Sequence, residues 1–255
     1  MGNFFPRWVN WIPLKVIFGL SVVGMLVVPA FWYTATAKYT RVGYEPQQPI
    51  PFDHSIHAGQ LGMDCRYCHS FVENSKHSNI PVAEQCWNCH KAIRTESDKL
   101  LKLREAVDKN YEGYTGERVK WVQIHETPDY AYFDHSVHVN RGVSCMECHG
   151  KVNEMKVVRQ EKSLSMGFCL DCHRNPEKHL RPMDEITNLN WKAEDVDRHE
   201  FFKYLAEKTG KSAKDFAEEH KVKGKEKPLT REDIGKGLKE AWNVNPPESC
   251  TACHR

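Results

Sequence analysis

Five copies of Cys-x-x-Cys-His account for every cysteine in this chain. They are Cys65-Arg-Tyr-Cys68-His69, Cys86-Trp-Asn-Cys89-His90, Cys145-Met-Glu-Cys148-His149, Cys169-Leu-Asp-Cys172-His173 and Cys250-Thr-Ala-Cys253-His254. In each, two thiols can add to the vinyl groups of a porphyrin while the adjacent imidazole ligates the iron from the proximal side, which is the pattern of c-type haem attachment. Zinc ribbons also use paired Cys-x-x-Cys units, but five would leave one unpaired. With 14 His in 255 residues, chance would place a histidine after all five pairs with a probability on the order of 10⁻⁷. Disulfide scaffolds rarely carry a histidine at one fixed offset either. The spacing predicts five covalently bound c-type haems, with His69, His90, His149, His173 and His254 as proximal ligands.

An electron carrier closes both faces of each iron, whereas a catalytic haem keeps one face open. His54 with His57, and His135 with His138, form His-x-x-His pairs ahead of a haem motif, each able to reach two different irons. The plain alternative is a set of surface histidines, which their recurrence after Phe-Asp in both places argues against. His77 is a third distal candidate. Aligning Val72 with Val152 brings Met155 near the place of His77 if a two-residue gap is allowed. A thioether in place of an imidazole favours ferrous iron and raises the potential, so one His/Met haem would make a step along a wire. Met166, three residues before Cys169, is the rival ligand, and core packing is the plain reading of either methionine. His125 and His179 are further candidates, while His199 and His220 read as surface residues. This supply covers five irons, and no catalytic residue is expected.

The elements that position these groups show an internal duplication. Phe52-Asp-His54-Ser-Ile-His57, followed by the first motif, recurs as Phe133-Asp-His135-Ser-Val-His138, followed by the third. Another motif follows in each copy. The division is an N-terminal segment 1–40, a first di-haem unit 41–110, a second 111–182, and a charged helical insert with the fifth haem over 183–255. The charged stretch Glu96 to Asp108 reads as a helix joining the units. In the insert, Phe201, Phe202, Tyr204 and Leu205 are spaced like one apolar helix face, Lys221 to Lys227 reads as a solvated loop, and the whole reads as a structural cover for the last haem.

Mean hydropathy is −0.64, and 40% of residues are hydrophobic. That is little for a large apolar core, and porphyrins would supply the missing surface. The expected fold is therefore short α-helices and irregular loops around five haems. The formal charge of +2 falls to roughly −8 once about ten propionates are counted, which excludes nucleic acid as a partner. From Val16 to Tyr33 no residue is charged, a length of about 27 Å as a helix, close to the ~30 Å hydrocarbon core. Trp8, Trp11, Trp32 and Tyr33 bracket the run, and Arg7 and Lys15 precede it, predicting a cytoplasmic N-terminus. Ala35-Thr-Ala37 would suit signal cleavage, but the run exceeds an ordinary signal core, so a retained single-pass anchor is expected. Covalent attachment outside the cytoplasm agrees with that orientation. Gly19 and Gly24 are not spaced as a helix-dimer motif.

The Phe-Asp-His-Ser-x-His lead resembles the multihaem cytochromes of class III. A closer resemblance, from about residue 40 to 182, is to the membrane-anchored pentahaem cytochrome c component of bacterial alternative complex III. It is carried by Val42-Gly-Tyr-Glu-Pro-Gln-Gln-Pro-Ile50, His57-Ala-Gly-Gln-Leu-Gly-Met-Asp-Cys-Arg-Tyr-Cys-His69, His77-Ser-Asn-Ile-Pro81, Trp121-Val-Gln-Ile-His125 and Leu164-Ser-Met-Gly-Phe-Cys-Leu-Asp-Cys-His-Arg-Asn-Pro-Glu177. Beyond 182 only the terminal motif supports it. The resemblance implies a class III-like multihaem fold with one transmembrane helix, in the bacterial inner membrane with the haem domain on the periplasmic side. It implies mostly bis-His haems with a His/Met exception. It also implies an iron-sulfur subunit built like a molybdopterin oxidoreductase as donor, multispanning quinol-binding subunits as neighbours, and a monohaem cytochrome c or haem-copper terminal oxidase as acceptor. Quinol chemistry would lie elsewhere, since no cysteine is left for an iron-sulfur cluster here. Two other readings remain open. One is a free-standing anchored quinol dehydrogenase feeding a periplasmic nitrate or nitrite reductase. The other is a catalytic multihaem reductase, against which stands the lack of a Cys-x-x-Cys-Lys motif.

Overall fold

A computed structural model describes residues 5–35, 41–212, 214–216, 221–222, 225–226 and 228–254. The chain forms two compact units, Met1–Gly43 and Tyr44–Arg255. In the first, a 3₁₀ turn over Arg7–Trp11 leads into α1, Ile12–Ala35. No residue of α1 is buried, and the most apolar 18-residue stretch of Arg7–Ala35 has a mean hydropathy of 2.2. A helix apolar on every side suits a bilayer, and the same length and composition suit a signal sequence. Thr36 and Ala37 of the suggested cleavage site lie outside the described residues.

The second unit is built of short helices: α2 (Cys65–Cys68), α3 (Ala83–His90), α4 (Leu101–Val107), α5 (His135–Val139), α6 (Cys145–His149), α7 (Met166–Arg174), α8 (Arg198–Thr209), α9 (Arg231–Ala241) and α10 (Cys250–Cys253). Helix α4, continuing a 3₁₀ turn over Asp98–Leu100, fills the charged stretch expected to be helical. Among the described residues, sheet structure is limited to an antiparallel hairpin of β1 (Lys221–Val222) and β2 (Lys225–Glu226). That hairpin replaces the solvated loop expected over Lys221 to Lys227, whose residues 223, 224 and 227 lie outside the described residues, as does His220.

Apolar burial is uneven along the unit. Leu180, Trp191, Phe201, Phe202, Leu205, Phe216, Leu229, Ile234, Leu238 and Val244 form one buried cluster between α8 and α9. Helix α8 starts where the Asp197 carboxylate accepts from the Glu200 amide (2.8 Å) and stops at Gly210, in the left-handed region at φ 72°. It buries Phe201, Phe202 and Leu205, the face legible in the sequence, and Tyr204 accepts a hydrogen bond from the Trp242 indole (2.6 Å). Helix α9 opens with a reciprocal Thr230–Asp233 cap. Between 44 and 130, by contrast, the buried hydrophobics among the described residues are Ile50 and Leu103.

The duplication is visible in three dimensions. Asp53 accepts from the Ser55 amide (2.8 Å) and hydroxyl (2.6 Å), and Asp134 accepts from the Ser136 amide (2.9 Å) and hydroxyl (2.7 Å). Each aspartate thus caps the turn carrying a His-x-x-His pair. Phe52 lies edge-on to His54 (4.7 Å between centroids) and stacks on His57 (4.3 Å), while Phe133 does the same to His135 (4.8 Å) and His138 (4.5 Å). The copies differ in one respect. The first turn, Ser55–Gln60, is π-helical, whereas the second is the α-helical α5.

The two copies also exchange contacts. The Ser136 amide donates to the Ser75 carbonyl (3.2 Å) and the Asn140 side chain to the Glu73 carbonyl (2.8 Å). Reciprocally, the Ser55 amide donates to the Met155 carbonyl (3.1 Å), and Gly59 lies so close to the Asn153 carbonyl oxygen that a Cβ would overlap it. Each lead segment therefore packs on the loop beyond the first haem motif of the other copy. This is an isologous exchange within one chain, of the kind that relates the protomers of a two-fold dimer.

Candidate haem centres

All five motifs sit on helical turns, so the two cysteines, three residues apart, share one face. Asp64 and Ser144, immediately before the first and third motifs, accept from the backbone amides of Arg66 (2.8 Å) and Met146 (3.4 Å), and Ser165 caps α7. Cys65, Cys68, Cys86, Cys89, Cys145, Cys148, Cys169, Cys172, Cys250 and Cys253 are free thiols, each half-buried or exposed. Among the described residues no group of three or more His, Cys, Asp or Glu side chains is arranged as a metal cage.

Four of the five proximal imidazoles are held by their Nδ1 atoms. His69 bonds the Asn79 carbonyl (2.8 Å), His90 that of Ile93 (3.1 Å), His173 that of Pro247 (2.7 Å) and His254 that of Tyr130 (3.1 Å). Three of the four lead histidines follow suit: His57 Nδ1 meets the Asp53 carbonyl (2.8 Å), His135 that of Lys76 (2.7 Å) and His138 that of Asp134 (2.7 Å), whereas His54 Nδ1 is buried with no hydrogen-bond partner among the described residues. A backbone carbonyl at Nδ1 fixes the tautomer whose Nε2 carries the lone pair that binds a metal.

The lead imidazoles face proximal ones. Ring centroids lie 6.2 Å apart for His57 and His90, 6.4 Å for His135 and His149, and 6.2 Å for His138 and His173. Two imidazoles on opposite sides of one metal stand about 6 Å apart, from a bond of about 2 Å on each side and about 1 Å from each nitrogen to its ring centre. His54 lies within electrostatic range of His69. Burial, and then the neighbouring His69 and His57, lower the His54 pKa to about 4. Burial, followed by His125, His135 and His69, lowers that of His149 to about 3. Burial also pushes His138 down. These rings are kept neutral, the form that ligates.

The remaining candidates are distributed differently. His125 packs edge-on against His149 at 4.3 Å, too near to stand across an iron from it. His77 is exposed on the loop that receives α5, and His199 is exposed on α8. Met155 is buried, and Met166 is exposed at the start of α7. The reciprocal contacts pair Met155 with Ser75, so the gapless register matches Val157, not Met155, to His77. His179 Nδ1 bonds Glu147 Oε2 (2.8 Å). The ring beside His254 is Tyr130, with centroids 5.6 Å apart.

Sequence reasoning missed two features. Glu147, inside the third motif, is half-buried with His179, Arg231 and the fully buried Arg181 (3.5 Å) around it. Burial pushes its carboxyl up, but hydrogen bonding from His179 and the charge of Arg231 outweigh that and hold it below the ordinary range. Gly235 was the other. A Cβ there would overlap the Glu177 carbonyl oxygen and stand 2.7 Å from its carbon, so α9 meets the turn after the fourth motif backbone to backbone. Two glycines inside an otherwise helical run, Gly235 and Gly237, were the available signal.

The site fits porphyrins. Leu61, Tyr67, Phe71, Ile80, Val82 and Ile93 flank the first two motifs, and all are exposed, the last at 56%. An unpartnered apolar lining of that extent, beside so few buried side chains, is what a large planar apolar group would cover. A hollow of about 510 Å³ beside α6 is lined in part by Lys151, Arg159, Lys162 and Arg231, cations suited to propionates.

No family model matches the chain. It is 29% identical over 130 residues to the multihaem cytochrome c subunit of the menaquinone reductase of Nitratidesulfovibrio vulgaris. The chain is a multihaem c-type cytochrome with five haems, related to that subunit. The match covers 50% of this cytochrome and spans 56% of the relative's length. Its mostly helical fold and its long apolar N-terminal helix agree with expectation.

Proposed function

We propose that this cytochrome is the electron-transfer subunit of a quinol-oxidising respiratory complex of the alternative complex III type. It would take electrons from an iron-sulfur subunit built like a molybdopterin oxidoreductase and pass them to a monohaem cytochrome c or a terminal oxidase. The observation that carries an electron-transfer role is the facing imidazoles. Three proximal rings have a second ring at the separation expected across a metal, which supports closed six-coordinate irons. In this reading His54 closes the iron of His69, His57 that of His90, His135 that of His149 and His138 that of His173. His77, Met155, Met166, His125 and His179 are the remaining candidates for a second ligand. The chain's own residues attach, orient and electrically isolate the haems, which supply the electron exchange.

The di-haem units 41–110 and 111–182 and the insert 183–255 form the haem domain on the periplasmic side of the bacterial inner membrane. Helix α1 is the single-pass anchor, its N-terminus cytoplasmic, as Arg7 and Lys15 ahead of the apolar run support. A second reading has one specific observation behind it. The relative is the cytochrome subunit of a menaquinone reductase, a name that points to electrons reaching menaquinone rather than leaving it. Gentle solubilisation and identification of what co-purifies test the proposal. Recovery with multispanning proteins and an iron-sulfur oxidoreductase, with quinol:cytochrome c activity, is expected. The same assembly reducing menaquinone without oxidising quinol would reverse the direction. Recovery alone, or with a nitrate or nitrite reductase, would sink the complex.

A further inference from the structure

The haem motifs do not follow one another in space as they do along the chain. We infer that they form a single file in the order second, first, third, fourth, fifth, with the haems of Cys86/Cys89 and Cys250/Cys253 at its two ends. The inference rests on the electron-transfer reading above only for its use as a path, not for its geometry.

Each link has contacts of its own. Between the second and first motifs, the Gln85 side chain, one residue before Cys86, donates to the carbonyl of Tyr67, inside the first motif. His54 and His57 share one turn, and His57 faces the second proximal histidine. The first and third motifs are joined through the residues that immediately precede them. The segment ending in Ile186-Thr187 straps the two together, its Ile186 carbonyl accepting from Ser144 (2.6 Å) and its Thr187 hydroxyl donating to Asp64 (3.0 Å). Ser144 and Asp64 are the residues immediately before Cys145 and Cys65. From the third to the fourth, His135 and His138 on α5 face His149 and His173. From the fourth to the fifth, His173 bonds the Pro247 carbonyl (2.7 Å) and Arg174 pairs with Glu248 (3.0 Å), both just ahead of Cys250.

Among the described residues no hydrogen bond joins α3 to α6, the pair that sequence order would make neighbours. The reason is the reciprocal exchange between the copies. An isologous contact puts like elements together at its axis, here the first motif of each copy, and drives the second motif of each outward.

Neighbouring irons shift one another's potential through charge, and the effect fades with distance. Two full-length variants, each lacking one haem, separate the orders: Cys65→Ser with Cys68→Ser, and Cys86→Ser with Cys89→Ser. Pigment analysis should give four haems in each. Redox titration should then find two shifted midpoints when the first haem is lost and one when the second is lost. The reverse pattern, one and then two, would overturn the file in favour of sequence order. Interhaem proton contacts in the reduced wild-type protein need no variant and serve if either variant fails to mature. They should link the first haem to both the second and the third. A link from second to third, with none from first to third, would refute the inference. These readouts stand whether or not the chain serves a quinol-oxidising complex, so loss of that reading is seen separately in what co-purifies.

Discussion

Gly235→Ala is expected to damage the cytochrome without altering any haem-attachment residue. Position 235 lies in the second turn of α9, against the 3₁₀ turn Pro176–Lys178 that follows the fourth motif. The added methyl would stand 2.7 Å from the Glu177 carbonyl carbon and 3.1 Å from its Cα. The obstacle is backbone, which cannot swing aside, so the cost falls at or above the upper end of the ordinary overpacking range, about 3 kcal/mol. Alanine returns about 1 kcal/mol through helix propensity. The net loss is about 2 kcal/mol, a fall in melting temperature of roughly 4–8 °C for a unit of this size. Gly167→Ala in α7 is the matched control, since its nearest neighbour is Ser165 Oγ at 4.0 Å, and it should hold or gain stability. A displaced α9 would also loosen the chain that brings Pro247 to His173. Losing that carbonyl weakens imidazole donation, so the potential of the fourth haem should rise while the others hold. Thermal melting of the holoprotein and a redox titration read both effects. Equal melting of the Gly235→Ala and Gly167→Ala proteins would refute the backbone contact as the joint between insert and haem domain.

Other consequences follow from the same geometry. His57→Ala should open one iron of the five, seen as a high-spin signal and carbon monoxide binding at one-fifth of the haem; a fully low-spin spectrum would show that His57 is not a ligand. Met155→His should lower one midpoint with all five haems bound, and an unchanged titration would pass the role to Met166. Hydrogen bonds from Arg66 hold the Asp64 carboxyl at about 2, below its unfolded value, so its cap stabilises the fold above about pH 4 and is lost as pH falls through about 2. Asp64→Ala should therefore cost about 1 kcal/mol at pH 7, and the difference in melting should shrink toward pH 2. A chain made without haem attachment should be protease-sensitive between 44 and 130 but keep helical protection over α8 and α9, where the buried cluster lies. Uniform protection by hydrogen exchange would contradict that division.

What the sequence made legible was local. Cysteine and histidine spacings, the twice-used Phe-Asp-His-Ser-x-His lead and the apolar face of Phe201, Phe202 and Leu205 are each short-range patterns, and short range is where side-chain direction follows from backbone geometry. The lead is a good case. Its phenylalanine orients two imidazoles, its aspartate caps the turn and supplies the carbonyl for one Nδ1, so one six-residue string specifies two ring positions. Which iron each ring faces is a different kind of fact. It depends on how the two copies dock, and a Lys76 carbonyl holding His135 leaves no periodic trace in the chain. The alignment of Met155 with His77 failed for the same reason. Residue types suggested a gap, while backbone pairing of Ser55 with Met155 and of Ser136 with Ser75 sets a register without one.

The uneven burial bears on why the insert exists. A domain that buries almost no apolar side chain between 44 and 130 depends on its cofactors for a core there. The insert supplies a protein-built core between the fourth motif and the fifth. It fastens to the fourth motif through Gly235 on Glu177 and through Lys239 on Glu177 (2.9 Å), and to the third through Arg231 on Glu147. It then delivers Pro247 to His173 and, three residues later, Cys250. The fifth motif is thus positioned from the fourth by a rigid arm rather than by a third copy of the His-x-x-His lead. That accounts for the absence of a Phe-Asp-His lead before Cys250, and it places the second ligand of the iron of His254 outside the repeat's logic.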